Sequence, residues 1–107
     1  MSTKAKVIPV GYNDVSLRWR IADIAQDSNR VLLRPHARTR MRERGVTLVQ
    51  VLRVLQKGSV WESAHQDIKG KWKCTLRHVV AGDDLKVSCA LDQLPNGEMV
   101  VVITVFR

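Results

Sequence analysis

A chain of 107 residues, 45% of them hydrophobic, can fill one core but hardly two, so a single domain is expected. Its longest apolar run, residues 99–103, falls far short of the ~20 residues a membrane span needs, and the first residues lead into no apolar signal segment, so a cytoplasmic protein without membrane contact is expected. The net charge is +8 and sits in two places: residues 34–44 set five arginines against Glu43, residues 69–78 carry four cations and no acid, and the remainder sums to zero.

Residues 1–11 show no clear period, and Pro9 with Gly11 argues for an extended lead-in. Asn13 or Asp14 can cap a first helix in which Leu17, Ile21 and Ile24 repeat at helical spacing, ending near Ser28 and Asn29. Residues 31–33 form a short apolar extended piece. Pro35 then suits the first turn of a second helix, because its missing N–H is needed by no partner there, and Gly45 suits the position just past its end. Thr47 and Gln50 make a capping box for a third helix with a core face of Leu48, Val51, Leu52 and Leu55, closed by Gly58.

After Gly58 the period changes from helical to alternating. Strands are expected at 60–65, 72–80, 85–91 and 99–106, with turns at Gly82–Asp83–Asp84 and Pro95–Asn96–Gly97. On the second of these strands Trp72, Cys74 and Leu76 share one face, while Lys73, Thr75 and Arg77 share the other with Lys71. The last strand is apolar on both faces, which implies an interior position in the sheet. The whole reads as α+β: two to three N-terminal helices on a four-stranded, mainly antiparallel sheet. Residues 1–30 form an N-terminal extension with an amphipathic helix, and 31–107 a helix-helix-sheet domain making one compact unit with it.

The chemistry-bearing pattern is in the second helix, where His36, Arg40 and Arg44 recur every four residues along one stripe beside Ala37 and Met41. A histidine in that first turn can act as a general base. Arginines one and two turns on can clamp a phosphate and stabilise charge developing on it. These parts suit metal-independent RNA cleavage, in which a base takes the 2′-OH proton. A solvated arginine face is the plainer reading of the same row, and lysines alternating on a strand commonly protect an exposed edge. Arg38, Arg42, Lys71, Lys73 and Arg77 are candidate phosphate contacts. Trp61 and Trp72 suit either the core or base stacking, His65 and His78 lack a partner carboxylate at fixed spacing, and Cys74 and Cys89 are expected to be reduced and to pack. No metal site and no cofactor are expected.

The run His36-Ala37-x-x-Arg40-Met41-x-x-Arg44-Gly45-Val46, with the terminal Ile103-Thr104-Val105-Phe106, resembles a bacterial family of small domains of unknown function. That family is similar in helix-helix-sheet order to the RelE, BrnT and barnase-like ribonuclease toxins. The resemblance implies a phosphodiester site on a sheet face beside the helices, with His36, Arg40 and Arg44 from the helix and Thr104 from the last strand. It implies a toxin-like, metal-independent endoribonuclease or an inactive relative, with RNA as the expected partner and an acidic antitoxin as a possible protein partner. The general acid for the leaving 5′-oxygen has no evident candidate. A non-catalytic RNA- or DNA-binding module, and a protein-interaction domain of toxin-antitoxin, immunity or phage accessory type, are the alternatives.

Overall fold

The computed structural model describes residues 11–107, so most of the expected lead-in lies outside the described residues. Asn13 caps α1 (Asp14–Ile24) through a reciprocal capping box with Ser16, and Leu17, Ile21 and Ile24 are fully buried along one stripe. α1 ends at Ile24, before Ser28, because Asp27 caps a separate 3-10 turn at Ser28–Arg30 that redirects the chain into β1 (Val31–Leu33). Arg18 donates to the Gly58 carbonyl at 2.7 Å, and Arg20 pairs with Glu98 at 2.6 Å, so α1 is tied to two separate segments of the chain. That hydrogen bond from Arg20 to Glu98 holds the guanidinium above its ordinary range.

α2 (Pro35–Arg44) begins with Pro35 at its first position and stops at Gly45, whose φ of 64° is a left-handed conformation. α3 (Leu48–Lys57) opens on the expected Thr47–Gln50 capping box. Its buried face is Val51, Val54 and Leu55, whereas Leu48 is 44% exposed and Leu52 half-buried. The face is rotated because α3 packs on α1 and on the strands at Trp72–Val80 and Asp83–Leu94, which draws Val54 inward. Gly58 is extended rather than left-handed; it matters by proximity, since a Cβ there would stand 2.5 Å from the Val54 carbonyl oxygen and 3.0 Å from that of Arg77.

Among the described residues the sheet has five strands, not four, in the order β1-β5-β4-β3-β2, with β2 (Ser59–Gln66), β3 (Trp72–Val80), β4 (Asp83–Leu94) and β5 (Gly97–Phe106) antiparallel in succession. The extra strand is residues 31–33, which pair parallel with β5 from Val31↔Val100 to Leu33↔Val102. Three residues are too few to show an alternating period, and their partner lies some seventy positions away. β5 is therefore interior, as its two apolar faces require. β4 starts at Asp83, earlier than the pattern indicates, because the hairpin turn is confined to Ala81 and Gly82, with φ of 49° and 85°. Helical Leu17, Ile21, Ala37 and Val51 meet Leu76, Val87, Cys89, Val100 and Val105 in one core on one face of the sheet.

Candidate nucleic-acid interface

α2 runs along β5 beyond the point where β1 ends. Ala37 is fully buried and Met41 packs on the core, which sets the orientation of the His/Arg stripe. Successive members rotate toward the sheet by about 40° per step, and burial follows: His36 is exposed, Arg40 and Arg44 half-buried. The His36 side chain makes no hydrogen bond among the described residues. Arg40 pairs with Glu43 at 2.7 Å, and Arg44 donates to the Val105 carbonyl at 2.9 Å. Arg44 thus satisfies a β5 carbonyl that β1 is too short to reach, and fastens the end of the helix to the strand. Arg34, Arg38 and Arg42 are exposed and have no ion-pair partner among the described residues. The net +4 of this segment receives no acid from elsewhere in the described chain.

The strand segment behaves otherwise. Lys71 meets Asp92 at 2.9 Å, Lys73 meets Asp67 at 3.5 Å, and Arg77 grips both carboxylate oxygens of Asp84 at 2.8 Å. All three acids lie outside residues 69–78, so the folded chain sets three negative charges against its surplus. Asp67 also accepts the backbone N–H groups of Lys71 and Lys69 at 2.9 Å, and these bonds with the Lys73 ammonium hold its carboxyl below the ordinary range. Arg77 does the same for Asp84, whose carboxylate in return raises the guanidinium.

The sheet face opposite the helices carries a polar row that the alternating pattern conceals. In a regular β2, Val60, Glu62 and Ala64 would share the core face. Register shifts on both sides of Glu62 turn it outward, opposite Thr75, while Val60 and Ala64 still pack on the core. A second shift in β5 does the same for Thr104, which pairs with Ser88, while Val102 and Val105 are buried. Glu62, Thr75, Ser88 and Thr104 therefore line up across four strands between two bulges. Thr75 is 1% exposed; its hydroxyl donates to Glu62 Oε1 at 2.9 Å and lies 2.8 Å from Ser88 Oγ. Thr75 has one proton, given to Glu62, so the Ser88 hydroxyl donates to Thr75. Beside this row the exposed Trp61 meets Phe106 edge-to-face at 6.0 Å, with the Lys86 ammonium 5.1 Å from the indole centroid.

Of the expected site residues, Thr104 joins the outer row and Arg44 is anchored one residue along at Val105. His36 is two helical turns from Arg44, about 12 Å along the axis. Glu62 lies three strand spacings from Thr104, about 14 Å, and on the sheet face opposite the helices, so it does not join His36 at one phosphodiester. Glu62 and Ser88 escaped sequence reasoning, although a signal existed: Glu62, like Thr104, is a polar residue at core-facing parity that a bulge turns outward, while Trp61, expected either in the core or as a stacking surface, is exposed. Trp72 instead packs at the core margin against Tyr12 at 5.9 Å, His65 lies 2.9 Å from the Ser63 carbonyl, and His78 is half-buried opposite Leu85. Cys74 and Cys89 are buried free cysteines opposite each other, and hydrogen bonding with Cys74, followed by burial, pushes the Cys89 thiol up.

These features define an α+β domain with an arginine-bearing helix beside a bulged sheet whose outer face carries a polar row. The chain belongs to the family described as a domain of unknown function, DUF4258, whose model matches residues 33–107, from the end of β1 through β5. No curated protein and no solved structure is matched. Among the described residues no helix is long and apolar enough to cross a membrane.

Proposed function

We propose that this domain grips single-stranded RNA along α2 and cleaves it without a metal, in the manner of the ribonuclease toxins that its helix and last strand resemble. The observation that carries the reading is the uncompensated +4 of residues 34–44, on a helix whose histidine is exposed, with a side chain that makes no hydrogen bond among the described residues. Arg34, Arg38 and Arg42 contact phosphates, which gives binding that weakens steeply with salt through counterion release. His36 takes the 2′-OH proton as the 2′-oxygen attacks phosphorus and the P–O5′ bond breaks, leaving a 2′,3′-cyclic phosphate and a 5′-oxygen protonated by water, and Arg40 turns from Glu43 to the scissile phosphate when RNA binds.

Total RNA incubated with the purified protein in EDTA, beside a His36→Ala variant, tests this. Cleavage by the parent and its loss in the variant are expected; an intact RNA pool rules out the catalytic half. RNA binding without cleavage is a second reading, favoured by one observation: both expected clamps already have partners, Arg40 in Glu43 and Arg44 in the Val105 carbonyl.

A further inference from the structure

We propose that the bulged outer face is a base-reading site for guanine, formed by Trp61 as the stacking surface and Glu62 as the acceptor. The inference rests on the RNA reading above and adds a specificity to it.

Trp61 is 55% exposed at a place where a core-forming residue would be covered, and it is braced rather than loose. Phe106 meets its ring at 6.0 Å, and Lys86, whose side chain is 13% exposed, holds its ammonium 5.1 Å from one ring centroid and 6.0 Å from the other. A braced, exposed indole is what an unpaired base stacks on. The next residue, Glu62, is turned to the same face by the bulge. On a protein of net charge +8 its carboxylate has no cation within ion-pair distance among the described residues; its partner is the Thr75 hydroxyl, at 2.9 Å to Oε1. That bond leaves Oε2 and the remaining lone pair of Oε1 to accept.

Guanine is the base whose Watson–Crick edge offers two adjacent donors, the ring N1–H and the exocyclic amino group, and a carboxylate takes both. Adenine presents one donor beside an acceptor, uracil a single N–H between acceptors, and cytosine an amino group beside an acceptor. A fixed carboxylate next to a stacking ring therefore selects guanine. The site lies on the sheet face opposite the helices, so the base it reads belongs to a nucleotide other than the one whose phosphate meets α2.

The test is calorimetric titration of the full chain with GMP, AMP, CMP and UMP, which needs no cleavage and no long RNA. GMP is expected to bind about tenfold or more tightly than the others. Glu62→Gln, in which the amide oxygen can still accept from Thr75, should erase the preference while leaving the melting temperature within experimental scatter. Trp61→Ala should weaken all bound nucleotides. Equal affinities, no GMP binding at millimolar concentration, or a preference that survives Glu62→Gln would overturn the proposal. An Arg38→Gln/Arg42→Gln variant separates the two readings: if it binds RNA as tightly as the parent while GMP selectivity persists, the α2 grip fails and the base site stands. If RNA binding depends on α2 and GMP is not preferred, the base site fails alone.

Discussion

Residues 34–44 and 69–78 each bring a surplus of four positive charges, but the fold treats them in opposite ways. Antiparallel pairing sets Arg77 near Asp84 and Lys71 near Asp92, and the β2–β3 turn folds Asp67 back onto Lys73. α2 has a strand backbone as its neighbour, so Arg44 finds a carbonyl, Arg40 finds Glu43 on its own helix, and the remaining arginines face outward. Charge counted along a chain thus says where a surplus begins, and pairing across strands decides whether it reaches the surface. On this ground α2, not β3, is the segment that presents unpaired positive charge, and it is the one to which the proposal assigns RNA.

The largest expected effect is on α2: Arg38→Gln with Arg42→Gln should weaken binding of a short RNA at low salt by about tenfold or more, since two phosphate contacts are lost. Fluorescence anisotropy measures it. Replacing Arg44 by Met should cost about 1–2 kcal/mol in urea unfolding, because a charged donor to a strand carbonyl is removed; an unchanged midpoint would return Arg44 to the phosphate-clamp role. Thr75→Val should cost a similar amount, about 1–2 kcal/mol, by leaving Ser88 and Glu62 without their shared partner. On β3 the effect should be smaller: Arg77→Gln breaks an exposed, solvent-screened ion pair and should leave RNA affinity within about twofold of the parent.

Acid should remove the difference between the two segments. Asp67 and Asp84 have folded carboxyls below the ordinary 3.8, so the stability they contribute is present above that value and is lost as pH falls through their folded values. Below that range the β3 cations lose their partners. Urea midpoints of the parent and of Asp84→Asn should therefore draw together as pH falls below 3.8, with the parent more stable at pH 6; parallel curves would break the account.

Most of the architecture was legible because it is written locally: the caps at Asn13 and Thr47, Pro35 at the start of α2, Gly45 at its end, and the apolar β5 that predicts an interior strand. What local pattern cannot carry is pairing. The three-residue β1 acquires its identity from β5, and the aspartates that neutralise β3 come from turns and strands up to twenty-one residues away. The outer polar row was hidden for the same reason, since strict alternation assigns Glu62 to the core side with Val60, and only the bulge moves it. Placement of the His36 stripe beside the core followed from helical spacing, whereas the partners of Arg40 and Arg44 did not.

The salt dependence of RNA binding tests the central claim most directly. The slope of log affinity against log salt should fall by about two in the Arg38→Gln/Arg42→Gln variant and stay at the parent value in Lys73→Gln/Arg77→Gln. A slope lowered by the β3 variant and untouched by the α2 variant would contradict the account.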